Sequence, residues 1–206
     1  KKAQSQKNER QAVVAPNDIR ELVVQGGEAQ SGDAYQALHT AELIRPAVEY
    51  GEREIDFKSG TETPPGGEKA TVTSVGFGYG ATEYWFTEIY LKRESEGSNG
   101  ITLAEWENKF QILETGKYPF DLGFIVELET PVNSSGPNEI KVGPLLQTEY
   151  GKLQLNANLL FERAFGQADD TGTPFATNFL YQWQVKYRLQ PTFEFGMQGF
   201  GELGEW

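Results

Sequence analysis

The chain has 206 residues, 38% apolar and 13% aromatic, with 23 Gly, no Cys and a net charge of −12. That length fits one domain, with room for a tail. The aromatic content argues against wholesale disorder. The absence of Cys excludes a disulfide scaffold, a thiolate metal site and a Cys nucleophile. No window approaches the ~18 apolar residues of a membrane helix. The acidic balance excludes nucleic acid as a partner, because phosphate recognition needs a basic surface. A transmembrane β-barrel survives all of this, since its alternating strands average to a polar composition such as the mean hydropathy of −0.53.

Residues 1–41 differ from the rest. Lys1 to Arg10 is polar, and Val13, Val14 and Pro16 follow. Asn17 to Val24 looks like a short helix, with Asn17 as a cap, before Gly26-Gly27. Five basic and five acidic residues make this part neutral, so the −12 belongs to residues 42–206, with 13 basic against 25 acidic. The expected role of 1–41 is a periplasmic tail or linker, with docking to a periplasmic or membrane partner as the sharper alternative. No apolar signal-peptide core is visible.

From Leu43 onward the hydrophobic period is two. The first strand, about 43 to 58, changes parity between Tyr50 and Ile55, which suggests a bulge near Gly51. Thr73, Val75, Phe77, Tyr79 and Ala81 alternate with Ser74, Gly76, Gly78 and Gly80. Trp85, Thr87, Ile89 and Leu91 oppose Glu88, Tyr90 and Lys92. Trp106, Phe110 and Ile112 oppose Glu105, Glu107, Lys109 and Gln111. Phe120 to Leu128 opposes Asp121, Glu127 and Glu129, and Ile140 to Leu146 opposes Lys141 and Gln147. Leu153 to Phe161 opposes Gln154, Asn156, Asn158 and Glu162. Phe179 to Tyr187 opposes Gln182, Gln184, Lys186 and Arg188, and Phe193 to Met197 opposes Glu194 and Gln198.

This predicts nine strands, most longer than the five or six residues usual in soluble sheets and matched to a tilted membrane strand. Connections alternate: long at Ser59–Lys69, Glu94–Gly100, Pro131–Asn138 and Gly166–Pro174, short at 82–83, 114–117, 150–151 and 190–191. Tyr79, Tyr84, Trp85, Tyr118, Phe120, Tyr150, Tyr187 and Phe193 all fall beside short turns, as one aromatic girdle would. The expected fold is therefore an all-β, antiparallel up-and-down transmembrane β-barrel of about 10–12 strands when complete. Its lipid face is apolar. Its lumen is lined by Glu88, Lys92, Glu105, Glu107, Lys109, Glu127, Glu129, Lys141, Glu149, Glu162, Lys186, Arg188 and Glu194. With residues 1–41 in the periplasm, strand nine runs outward. Single-chain barrels have even strand counts, so the expectation is a barrel of residues 42–206 incomplete at its C-terminus, or one in which residues 20–25 add a tenth strand.

Several runs resemble a known group. These are Glu105-Trp106-Glu107-Asn108-Lys109-Phe110-Gln111, Gly143-Pro144-Leu145-Leu146-Gln147, Asn158-Leu159-Leu160-Phe161-Glu162, Tyr181-Gln182-Trp183-Gln184 and Glu194-Phe195-Gly196-Met197-Gln198-Gly199-Phe200-Gly201. Together they resemble proteobacterial outer-membrane β-barrel proteins, near the porin-like families of phenol degradation (MetA-type) and copper resistance (CopB-type). The resemblance spans roughly residues 42–204 and implies a barrel in the bacterial outer membrane, with outer-membrane lipid around it. It implies no catalytic residues. The Met- and His-rich stretches of a copper-resistance protein are absent, as the chain has one Met and one His.

No enzyme chemistry stands out. His39, the single His, lies in the tail, away from any strand Ser. The pairs Glu105/Glu107 and Glu127/Glu129 could suit a glycosidase, but cross-strand pairing with Lys109, Lys141, Lys186 and Arg188 explains them without catalysis. Asp169-Asp170 lacks the spacing of a Ca²⁺ loop. Gly76-Phe77-Gly78-Tyr79-Gly80 lies inside a strand and is no nucleotide motif. No cofactor or metal is expected. Two functions fit: a porin-like channel for small solutes, cation-biased because lumenal acids outnumber bases eight to five, or a non-conducting structural barrel that anchors a partner complex.

Overall fold

The computed structural model describes residues 20–27, 43–62, 69–96, 99–166 and 175–205. Its strands are β1 (Arg20–Gly27), β2 (Arg53–Glu62), β3 (Ala70–Gly80), β4 (Trp85–Glu96), β5 (Asn99–Gln111), β6 (Asp121–Pro131), β7 (Asn138–Tyr150), β8 (Leu153–Phe165), β9 (Thr177–Gln190) and β10 (Phe193–Glu205). There is no helix among the described residues. Strands β2 to β10 each pair antiparallel with their chain neighbour, and the sheet curls into a half-barrel.

The period-two runs named above became β3 to β10. Two features near the N-terminus differ from expectation. Arg20–Gly27 is not helical but supplies the tenth strand that was the alternative for residues 20–25: it lies parallel to β10, with Arg20 opposite Phe193 and Gly27 opposite Phe200. The β-branched pair Val23-Val24 suits a strand better than a helix, and the backbone of β10 offers it an edge. The sheet order is β1-β10-β9-β8-β7-β6-β5-β4-β3-β2, so the sheet is open between β1 and β2 and no nine-strand ring closes.

The expected first strand at 43–58 is also different. The strand begins only at Arg53. The parity break is a turn, not a bulge: Gly51 has φ 80° and its N–H donates to the Gly80 carbonyl at 2.8 Å. Positive φ is costly for any residue with a Cβ, hence the Gly. Leu43 to Glu49 forms no strand and runs across the concave face.

Loop lengths are less polarised than the sequence suggests. Glu96 pairs with Asn99, so the connection expected over Glu94–Gly100 is only two residues long. On the other side, the connection expected at 114–117 extends from Ile112 to Phe120. The remaining short turns are tight, with Tyr150 paired to Leu153 and Gln190 to Phe193.

Burial is inverted relative to a water-soluble sheet. Outward-facing Ile55, Phe57 and Ile89 are 77%, 72% and 62% exposed. On the concave face Glu105, Glu127 and Lys141 are 4%, 6% and 6% exposed.

Candidate functional site

The concave face carries the candidate site, and its register creates a problem. Glu105 lies directly opposite Glu129, and Glu107 opposite Glu127. Like charges facing each other across strands repel. Two lysines from the flanking strands resolve this. Lys92 of β4 pairs with Glu105 and reaches Glu129 at 3.1 Å. Lys141 of β7 reaches Glu127 at 2.9 Å and Glu162 at 3.5 Å. The result is a buried ion ladder across β4, β5, β6, β7 and β8. The three carboxylates Glu105, Glu127 and Glu129 approach closely enough to hold a metal, but the two ammonium groups already occupy them. The cross-strand pairing expected for the acid pairs is thus formed by Lys92 and Lys141, while Lys109 instead lies 4.9 Å over the Phe86 ring.

The other expected lumen residues distribute along the same face. Glu194 pairs with Lys186 at 3.1 Å and with Arg188, near the short-turn end of β9 and β10. Glu88 is buried beside Gly76, where a Cβ would lie 2.7 Å from its Oε1. Glu107 and Lys109 line an open cavity of about 660 Å³ together with Glu54, Asp56, Lys58 and Tyr90. There Lys58 donates to the Tyr90 hydroxyl at 2.9 Å and pairs with Asp56 at 2.6 Å. Glu149 is exposed, at the rim of a small recess shared with Lys186 and Arg188. Outside the strands, Lys117 is held above its usual ammonium range by hydrogen bonding to Glu114 and by that carboxylate's charge.

Two parts of the site escaped sequence reasoning. The first is an aliphatic belt. Ile125, Leu145, Leu160 and Leu180, one from each of β6 to β9, are fully buried together on the concave face. The signal was present as a lone aliphatic at the polar parity of each strand.

The second is the segment 43–49, a strap across the concave face. Ile44 packs on the belt, and its carbonyl accepts from Asn158 Nδ2 at 2.8 Å. Pro46 is fully buried against Gly123, where an added Cβ would come within 2.9 Å of the Pro46 ring. The Val48 N–H donates to Gln111 Oε1 at 2.8 Å. Glu49 abuts Gly80, whose lack of a side chain leaves room for the Glu49 carbonyl. The strap therefore spans from β8 to β3 near the short-turn end.

The expected aromatic girdle residues sit at that same end. Tyr79, Tyr84, Tyr118, Tyr150 and Tyr187 are exposed there, with Trp85 and Phe193 half-buried. Trp85 stacks on Phe110 at 6.4 Å, and Tyr187 tilts against Phe195 at 5.7 Å. A set of polar side chains on this outer face bond to one another. Trp85 Nε1 and the Thr87 hydroxyl both donate to Asn108 Oδ1 at 3.1 Å, and Trp106 Nε1 donates to Thr87 at 2.9 Å. His39 and Asp169-Asp170 lie outside the described residues.

Comparison with protein-family models, with curated proteins and with solved structures finds no match to this chain.

Proposed function

We propose that residues 42–206 are the wall of a bacterial outer-membrane β-barrel that acts as a porin-like conduit for small solutes with a preference for cations. The inverted burial carries this reading. Large apolar side chains cover the outside of strands of 10 to 14 residues, and carboxylates and ammonium groups are enclosed within. Hydrocarbon outside and a polar lumen inside is the arrangement that makes such a distribution favourable. Two outer-face tryptophans support it further, since the indole N–H groups of Trp85 and Trp106 are bonded to side chains rather than left to water. The solute path is the open cavity beside β2 to β5, where Glu49, Glu52, Glu54, Asp56, Glu88 and Glu107 outnumber Arg45, Lys58 and Lys109. An excess of fixed carboxylates favours cations.

A second reading, a non-conducting barrel that anchors a protein complex through residues 1–41, is favoured by the paired ladder and the strap, which fill much of the concave face. Planar-bilayer recording of the purified protein in a salt gradient separates the two. The conduit reading expects discrete current steps with a reversal potential on the cation side. Silence, with co-purification of a partner protein that is lost when residues 1–41 are removed, replaces it with the docking reading.

A further inference from the structure

We propose that residues 43–49 are a built-in plug that closes the conduit, and that conduction requires this strap to leave its seat. The inference rests on the conduit reading and adds its regulation. The seat is specific at four successive points. Ile44 covers the aliphatic belt, and Asn158 holds the Ile44 carbonyl. Pro46 fills the space that Gly123 leaves by having no side chain. Gln111 then holds the Val48 N–H, and the Glu49–Glu52 turn closes on Gly80. A belt of four aliphatic side chains has no use in a wet, charged lumen unless something apolar covers it, and Ile44 is what covers it here. The strap also forms one wall of the acidic cavity, through Arg45, Ala47, Val48 and Glu49. Its position thus sets the width of the path. Residues 43–49 belong to no strand, and the Gly51 turn separates them from β2, which begins at Arg53. The segment can swing on that turn without breaking a strand ladder.

The chain has no Cys, so an engineered pair is read without background. Pro46→Cys with Gly123→Cys places two β-carbons that start 2.9 Å apart. A disulfide wants about 3.8 Å, which a small outward shift provides. The expected result is a disulfide on mild oxidation, with current steps abolished in the oxidised protein and restored by reductant. A second variant works in the opposite sense: Gly123→Leu occupies the seat of Pro46, and the open time is expected to rise at least tenfold over the unaltered chain. Equal currents in oxidised and reduced protein overturn the plug and leave the conduit standing. Failure of the disulfide to form, together with an unchanged open time in Gly123→Leu, overturns it as well. A disulfide that forms in a protein silent in every form, Gly123→Leu included, overturns the conduit and the gating together, while fixing the strap against β6.

Discussion

Replacing Lys141 with Met removes a cation that serves both Glu127 and Glu162. At an effective dielectric near 20, its contacts of 2.9 and 3.5 Å are worth about 6 and about 5 kcal/mol before desolvation is subtracted. Lys141 is only 6% exposed, so much of that attraction offsets the cost of burying the ions. What the substitution leaves is worse than a lost pair. Glu127 then faces Glu107 across the ladder with Glu105 close by, all on one enclosed surface. Breaking a buried pair from one side costs about 3–5 kcal/mol, and that is the expected loss for Lys141→Met. The triple variant Lys141→Met, Glu127→Gln, Glu162→Gln removes the stranded charges too, and it is expected to recover to within about 2 kcal/mol of the unaltered chain, since neutral replacement of a whole buried ionic group is often harmless. Urea unfolding in phospholipid vesicles at pH 7, followed by tryptophan fluorescence, measures both. The reasoning is refuted if the single substitution costs under about 1 kcal/mol, or if the triple variant is as unstable as the single one.

Two further outcomes are expected. Ile89→Arg puts a charge at the middle of β4, at a side chain 62% exposed between Phe77 and Trp106. In vesicles it should cost about 2–4 kcal/mol, whereas an exposed position facing water would change stability by less than about 0.5 kcal/mol; the small value would remove the lipid from the account. Asn108→Leu takes away the acceptor of Trp85 Nε1 and of the Thr87 hydroxyl. The Thr87 hydroxyl keeps the Glu107 carbonyl at 3.4 Å, so the expected cost is about 1–3 kcal/mol for the stranded Trp85 indole N–H, with a shifted tryptophan emission, and an unchanged spectrum and midpoint would count against that hydrogen bond.

The strands from β3 to β10 were legible because the period of two is carried by large side chains on one parity and by charge on the other. What failed to show was local. Ile44, Val48 and Tyr50 share a parity, so the strap imitates a strand. Pro46 was the contrary signal, because a proline inside a strand removes a ladder donor. The two-residue connection between β4 and β5 was hidden by polar strand ends: Glu94 and Ser95 look like loop residues until their partners Ile101 and Gly100 are known. Of the four cations expected to pair with Glu105, Glu107, Glu127 and Glu129, Lys141 does so through Glu127. Lys92, which was not among them, serves Glu105 and Glu129, while Lys109 lies over the Phe86 ring. Which lysine reaches which carboxylate depends on strand stagger, and no single strand's sequence encodes that.

Stagger also explains why the inner face is sorted by chemistry. On β6, Gly123, Ile125 and Glu127 follow one another at the inward parity. On β8 the order is Asn158, Leu160, Glu162. On β9, which runs the opposite way, it is Leu180 and then Gln182. Going from the loop end toward the short turns, the belt residue is followed on each of these strands by an amide or glycine, and on β6 and β8 it is preceded by a charge. The stripes run diagonally across the sheet, joined by pairs such as Leu160 with Leu180 and Asn158 with Gln182. Each stripe is joined by its own kind of contact: the ladder by ion pairing, the amides by Asn158–Gln182 and Gln184–Gln198 bonds at 2.9 Å, and the belt by mutual packing. The belt has a second effect. It stands between the ladder and the short-turn mouth, and an apolar layer lowers the local dielectric and strengthens the ion pairs behind it. The strap extends that layer through Ile44 and Pro46. Its seat then belongs to the same arrangement that keeps four carboxylates and two lysines enclosed, and a displaced strap would hydrate the ladder as well as widen the path.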